Sequence, residues 1–255
     1  VSNLELTGAF AAIANKGVYH RPLFYTKIVD HDGNVLIDHS SETGTRVMKD
    51  STAWLLTSAM KDVIKDGTGT ALKFRKKSMN EAGKTGTSNG NRDLWFVGYT
   101  PYLTGGIWCG YDNSATQKET GYHKEMWRDI MEKLNQNYSN KPFIRPQSVT
   151  SALICTKCGK LAIDGLCSNA VGGSCEKTEY FSKESVPTET CDCHIKCKIC
   201  KSSGRLANDN CPESDFYTVV YLQKTENSSP KTASKTADSN LLIPAYLKNS
   251  SCNIH

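Results

Sequence analysis

Apolar residues recur along the first part of the chain in two rhythms. Leu6, Phe10, Ile13 and Ala14 share one side of a helix. Ser2 and Glu5 form a capping box ahead of them, so a helix is expected to run to about Asn15, with Gly17 as its stop. A second helix is expected from a cap at Asp50 or Ser51 to about Lys65, with Trp54, Leu55, Ala59, Val63 and Ile64 on or beside one face. Between them, Phe24 to Val29 and Val35 to Asp38 flank Asp32-Gly33, a hairpin signal. The rhythm then shortens. Residues 81–88, 93–100 and 105–111 read as antiparallel strands joined by short turns. Trp95, Val97 and Tyr99 alternate with Phe96 and Gly98, so both faces of the middle strand should be covered, with Trp108 and Cys109 as core residues. Trp127, Ile130, Met131 and Leu134 return to helical spacing, and residues 142–146 end the region in extended chain. The fold class expected for residues 1–146 is α/β: an antiparallel sheet flanked by helices.

Beyond that point the pattern changes. Of eleven cysteines, only Cys109 precedes residue 150, and nine lie between Cys155 and Cys211. Residues 147–223 therefore read as a Cys-rich β tail. It carries a repeat: Ile154-Cys155 through Gly159 and Leu161-Ala162 to Cys167 is echoed by Ile199-Cys200 through Gly204 and Leu206-Ala207 to Cys211. Such small units build little core, so a covalent brace is physically sensible. Cys155–Cys167 and Cys200–Cys211 are candidate staples, and Cys175 with Cys191 a candidate bridge. The alternatives are free thiols and a metal. Cys155-x-x-Cys158 and Cys197-x-x-Cys200 are two CxxC pairs with Cys191, Cys193 and His194 nearby, but they lie further apart than the pairs of a zinc ribbon, so no metal site is assigned. Disulfides point to an oxidising, extracytoplasmic setting. Residues 224–240 are polar and rich in Ser, Thr and Lys, and read as a disordered linker. Residues 241–255 form a short tail in which Cys252 with His255 offers a metal pair, although Cys252 is read as an untethered thiol.

Composition narrows the picture. The 255 residues, 38% of them hydrophobic, suffice for one ordinary domain and something smaller. A net charge of +5 suits an acidic polymer or an anionic surface. Basic and aromatic residues do not cluster, which excludes nucleic acid as a partner. There is no signal peptide and no apolar run near the length of a membrane span. The chain reads as one that starts mid-domain.

The chemistry concentrates in Glu81-Ala82-Gly83-Lys84-Thr85-Gly86-Thr87-Ser88. A lysine supplies positive charge, threonine hydroxyls hydrogen-bond a carboxylate, and a glycine lets a substrate backbone approach a strand edge. A phosphate loop would need a glycine where Ser78 stands and a helix where Gly86-Thr87-Ser88-Asn89-Gly90-Asn91 follows, so that reading fails. Lys84-Thr85-Gly86 is a recurring element of serine enzymes that open β-lactams and cross-link cell walls.

Its neighbours extend the likeness. Asp93-Leu94-Trp95-Phe96-Val97-Gly98-Tyr99-Thr100-Pro101, Gly106-Ile107-Trp108-Cys109-Gly110-Tyr111-Asp112, the stretch Leu4 to Gly17, Asp66-Gly67-Thr68-Gly69-Thr70-Ala71 and Trp127-Arg128-Asp129-Ile130-Met131 together resemble, in order, the transpeptidase domain of class A penicillin-binding proteins. The resemblance runs from Val1 to about Pro146. It implies the fold of the penicillin-binding and serine β-lactamase proteins, incomplete here, and acyl transfer at D-Ala–D-Ala through a serine acyl-enzyme that β-lactams trap. It implies that Lys84 joins the site's hydrogen-bond network, that Thr85 and Thr87 hold the donor's carboxylate, that Gly86 keeps the edge clear and that the Thr87 N–H serves the oxyanion hole. The nucleophile and its lysine are expected upstream. Ser58-Ala59-Met60-Lys61 fits the Ser-x-x-Lys pattern, but so does Ser174-Cys175-Glu176-Lys177, and the family places its pair before the first helix, so both are read as coincidences. Transpeptidation needs no cofactor; a divalent metal is expected only in a glycosyltransferase domain outside this sequence. The implied partners are stem peptides, a lipid-linked precursor and β-lactams, on the outer face of a membrane reached through an upstream anchor. A D,D-carboxypeptidase, a β-lactamase relative and a non-enzymatic wall-binding module are the alternatives.

Overall fold

The computed structural model describes residues 1–223, 241–248 and 250–255, so the linker expected at 224–240 lies outside the described residues. The chain forms two compact units, Val1–Val149 and Thr150–His255.

In the first unit, α1 (Asn3–Ala14) starts at the Ser2–Glu5 capping box and ends where Gly17, with φ +85°, returns its N–H to the Ala12 carbonyl. A two-residue strand β1 (Val18–Tyr19) and the exposed hairpin β2 (Lys27–Val29) and β3 (Val35–Asp38) follow, and β4 (Thr45–Arg46) pairs back with β1. Then come α2 (Asp50–Lys65), the strands β5 (Ala82–Thr87), β6 (Leu94–Tyr99) and β7 (Thr104–Cys109), and α3 (Tyr122–Leu134). The sheet order is β5-β6-β7, antiparallel throughout, with β5 at one edge.

Alternation along β6 sends side chains into two cores. Phe96 meets Trp127 of α3 edge-on, with ring centroids 4.9 Å apart, and both are buried with Ile64, Leu72, Phe74 and Met131. Tyr99 packs with Met60 and Ala82, flanked by Phe10, Ile13 and Ala14 of α1 and by Phe143. Two successive glycines let both helices close on β7. A Cβ on Gly105 would stand 3.0 Å from Met131 Sδ, and one on Gly106 would stand 2.1 Å from Thr7 Oγ1 of α1. In place of side chains, the Gly105 carbonyl accepts from Trp127 Nε1 at 2.9 Å and the Gly106 carbonyl from Asn3 Nδ2 at 3.2 Å.

Several buried faces differ from the apolar pattern. The α2 helix has Lys49 at its N-cap with no side-chain capping bond to the helix, and its buried line is Ser51, Ala53, Thr57, Met60 and Ile64. Thr57 belongs there because its hydroxyl bonds the Ala53 carbonyl at 2.8 Å and the Tyr99 hydroxyl at 2.7 Å. In α3 the buried residues are His123, Trp127, Arg128 and Met131, while Ile130 and Leu134 are exposed. Arg128 takes the inward place because its Nη1 donates to the Ala71 carbonyl at 2.9 Å while its charge is paired with Asp129 at 2.8 Å. Trp108, expected in the core, is 40% exposed: its indole N–H is spent on Asp93 Oδ1 at 3.0 Å.

The second unit holds two two-stranded sheets, β8 (Val149–Cys155) with β9 (Glu176–Ser182) and the antiparallel pair β10 (His194–Cys200) with β11 (Phe216–Leu222). The expected pairs Cys155–Cys167, Cys200–Cys211 and Cys175–Cys191 are not formed. All eleven cysteines are unbridged in the structure. Reading neighbours in sequence as partners missed what the sheets bring in from further along. Cys155 Sγ lies 3.7 Å from Cys193 Sγ, Cys191 Sγ lies 3.2 Å from His194 Nδ1, and Cys175 Sγ instead approaches the Gly173 carbonyl at 3.7 Å. Cys252 is buried beside Cys200, not a loose tail thiol.

Glu81, at the foot of β5, is buried, and burial pushes its carboxyl up to about 7, against the hydrogen bond that the Phe74 N–H gives it. Its native value exceeds its unfolded one, so its protonated form stabilises the fold fully below the ordinary glutamate value of 4.5, and that contribution is lost as pH rises through about 7. Glu81→Gln should therefore match wild-type stability at the acid end and exceed it above neutrality, by on the order of 3 kcal/mol at most. Paired urea melts across this range check it; a difference that does not change with pH would show that Glu81 is not held protonated.

Candidate active site on an open strand edge

β5 reads Ala-Gly-Lys-Thr-Gly-Thr, and its register against β6 is Lys84↔Val97, Thr85↔Phe96, Gly86↔Trp95 and Thr87↔Leu94. Just past the strand, Ser88 N donates to the Asp93 carbonyl at 3.1 Å, which fixes the phase of the ladder. In an antiparallel pair only alternate residues exchange backbone bonds with the partner. Residues 84 and 86 therefore spend their N–H and C=O groups on β6. Residues 83, 85 and 87 point theirs the other way, along the edge that none of the described strands covers. The Thr87 N–H and the Thr85 N–H and C=O thus face outward.

Side chains complete this edge. Lys84 is exposed, and its ammonium reaches round to donate to the Thr85 carbonyl at 2.9 Å and to Thr85 Oγ1 at 3.4 Å. Thr85 Oγ1 also meets Thr68 Oγ1 at 2.9 Å, from the Gly67-Thr68-Gly69-Thr70 turn. Lys124 of α3 donates to the Thr68 carbonyl at 3.3 Å, which brings a second cation to the same end of the sheet. Beyond Thr87 the chain is clamped: Ser88 Oγ donates to Asp93 Oδ2 at 2.9 Å and accepts from the Asp93 N–H at 2.8 Å, and Trp108 holds the other carboxylate oxygen. An open depression of about 470 Å³ lies against the strand, lined by Leu6, Phe10, Lys84, Thr85, Gly86, Trp95 and Val97, with Val1 at its rim. The arrangement offers two ammonium groups, threonine hydroxyls and outward N–H donors beside an apolar wall. That is the chemistry of a site for an extended chain ending in a carboxylate.

The family pattern of the penicillin binding protein transpeptidase domain matches residues 1–132, and that of the penicillin-binding protein 1A C-terminal domain matches residues 145–196. The chain belongs to the penicillin-binding protein transpeptidase family. Penicillin-binding protein 1A of Clostridium botulinum (strain Langeland) is 32% identical over 224 residues, covering 87% of this chain and 27% of the relative. Penicillin-binding protein 1F of Bacillus subtilis is 35% identical over 156 residues, covering 58% of this chain and 21% of the relative. The crystal structure of penicillin-binding protein 1A from Haemophilus influenzae superposes with a TM-score of 0.63 at 21% identity, over 75% of this chain and 33% of that one, and shares its fold. The chain thus spans about a quarter of the length of the curated relatives it matches.

Within this transpeptidase unit, Lys84, Thr85, Gly86 and Thr87 all lie on the open edge strand. Ser58 lies half-buried on α2, one residue past the Thr57 hydroxyl that the helix turns to Tyr99. Thr68 and Lys124 were missed as site residues. The Gly67-Thr68-Gly69-Thr70 turn stands out in the sequence as a family marker, yet its chemical part, a hydroxyl laid on Thr85, appears only in the fold. Nothing in the sequence around Lys124 signals its reach. The two glycines of β5 do different work. A Cβ on Gly83 would stand 2.4 Å from Phe96 Cζ and 2.8 Å from Gly98 Cα, whereas one on Gly86 would stand 3.1 Å from Trp95 Cβ. Gly83→Ala should lower the unfolding free energy by about 1–3 kcal/mol and Gly86→Ala by clearly less. Equal effects in chemical denaturation would refute this division of roles.

Proposed function

We propose that this transpeptidase unit forms the substrate-binding edge of a peptidoglycan D,D-transpeptidase. A donor stem peptide lies along β5 as an added strand. Its terminal carboxylate is held by the hydroxyls of Thr85 and Thr87 within the field of Lys84 and Lys124. Thr68 orients the Thr85 hydroxyl as a positioning residue. As the serine attacks the D-Ala–D-Ala carbonyl, the carbonyl oxygen gains negative charge and the outward Thr87 N–H receives it. The last D-alanine leaves with the proton taken from the serine. The acyl group then passes from the serine to an amine on a neighbouring strand, which regenerates the hydroxyl. Gly86 leaves the edge bare, so the donor backbone can close on it. The observation that carries this reading is the β5–β6 register, which aims residue 87 away from the sheet.

The serine and its lysine are supplied by sequence upstream of Val1, as are a glycosyltransferase domain acting on a lipid-linked precursor and a membrane anchor that sets the unit on the outer face. Among the described residues no helix is long and apolar enough to cross a membrane. Acyl transfer of this kind draws on side chains and backbone alone, without a cofactor; a divalent metal would belong to the glycosyltransferase domain.

Two measurements test the proposal. Intact mass after incubation with a penicillin should show no adduct on this chain and one adduct on a protein that also contains the upstream serine. An adduct mapped to Ser58 would overturn the assignment. In the longer protein, Thr87→Val removes one hydrogen bond to the carboxylate and should slow acylation about 10- to 100-fold. Unchanged acylation would remove Thr87 from the site.

A further inference from the structure

The second unit uses one layout twice. Cys155, Cys167, Cys191 and His194 bring one donor atom each to within 4.8 Å of one another, and all four residues are buried. Cys200 and Cys211 follow the same Ile-Cys…Gly-x-Leu-Ala pattern, and Cys252 with His255 repeats the spacing of Cys191 with His194. The sulfurs of Cys200, Cys211 and Cys252 also gather within 4.8 Å, and His255 stands within the same distance of Cys200 and Asp215, with its Nε2 hydrogen-bonded to Asp215 Oδ2 at 2.7 Å. The backbone repeats with them. The Gly159 N–H bonds the Cys155 carbonyl at 2.8 Å, and the Gly204 N–H bonds the Cys200 carbonyl at 2.9 Å. The Cys191 N–H bonds the Leu161 carbonyl at 2.8 Å, as the Cys252 N–H bonds that of Leu206 at 2.8 Å. Parallel bridges join Leu161 to Thr190 and Leu206 to Ser251. Hence the C-terminal residues are the closing part of a second module equivalent to the first.

The spacings within the clusters suit a shared cation. Ligands placed tetrahedrally about 2.3 Å (sulfur) and about 2.0 Å (imidazole nitrogen) from zinc stand about 3.8 Å apart for two sulfurs and about 3.5 Å apart for sulfur and nitrogen. His194 Nδ1 lies 3.2 Å from Cys191 Sγ, 3.6 Å from Cys155 Sγ and 3.8 Å from Cys167 Sγ, and the Cys252 and Cys200 sulfurs are 3.5 Å apart. A disulfide would use two sulfurs and leave a third beside a buried imidazole. His194 Nε2 is itself buried without a hydrogen-bond partner, so the sulfurs at Nδ1 are what hold the ring. Thiolates with an imidazole are a borderline-soft set that selects zinc over calcium or magnesium.

We propose that the second unit binds two zinc ions, one through Cys155, Cys167, Cys191 and His194 and one through Cys200, Cys211, Cys252 and His255. Each site releases its three thiol protons to solvent, coordinates its imidazole neutral and carries one net negative charge with the ion. Cys158 and Cys193 crowd the first site but have no counterparts, since Ser203 and Ile254 occupy the equivalent places. The ligand set is therefore the quartet that repeats. Binding supplies folding energy that two small sheets lack.

The test uses the full chain, reduced, loaded with zinc and gel-filtered, with zinc counted by plasma mass spectrometry and disulfides by intact mass. Two zinc ions per chain are expected, falling to one in Cys167→Ser and to one in Cys211→Ser, and staying at two in the double variant Cys158→Ser, Cys193→Ser. Where a variant fails to fold, cobalt titration of the wild type decides: thiolate-to-cobalt charge transfer and tetrahedral ligand-field bands should saturate at two equivalents. Zinc-free protein, saturation at one equivalent, or zinc lost from the double variant but kept in Cys167→Ser would each overturn the proposal.

Discussion

The site depends on which residues of β5 spend their backbone on β6. The Ser88–Asp93 bond sets the phase of the ladder, and from it follows that the N–H groups of residues 83, 85 and 87 look outward. A slip of one residue would exchange the inward and outward sets and turn every side chain to the opposite face. That register is pinned from both ends. Asp93, gripped by Ser88 and Trp108, fixes the turn, and the tight fit of Gly83 against Phe96 and Gly98 fixes the foot of the strand.

The register in turn rests on how β6 is packed. Phe96 is locked against Trp127 on one face, and Tyr99 against Thr57 on the other. Two glycines in β7 let α1 and α3 close from opposite sides, and each helix bonds the carbonyl of the glycine it covers. The open edge is therefore the outer margin of a sheet held from both faces, so its donors keep their direction without help from a ligand.

Much of the first unit could be read from the sequence, because its signals are local. The capping box, the hairpin turn, the three strands and the Lys84-Thr85-Gly86-Thr87 edge depend on neighbours a few residues away. What escaped were choices made by distant partners. Thr57 faces inward because Tyr99 waits there, Arg128 because Ala71 offers a carbonyl, and Trp108 stays out because Asp93 takes its N–H. Thr68 joined the site in the same way, through an oxygen that only the fold lays beside it. The tail shows the other limit. Its repeat is visible as far as Cys211, but its last two members, Cys252 and His255, lie beyond a long polar stretch, and only the backbone bond from Cys252 to Leu206 ties them back.

The bare edge of β5 has a cost as well as a use. An uncovered strand with free N–H and C=O groups accepts any extended chain, including a β-strand from another copy of the same protein. Lys84 answers that hazard. Its ammonium is folded across the Thr85 carbonyl, so a neutral or cationic strand would have to displace a solvated positive charge to pair there, whereas a peptide ending in a carboxylate brings its own counter-charge. The lysine thus guards the open edge against a second strand, and under the proposed function the same charge would favour a carboxylate-ended peptide.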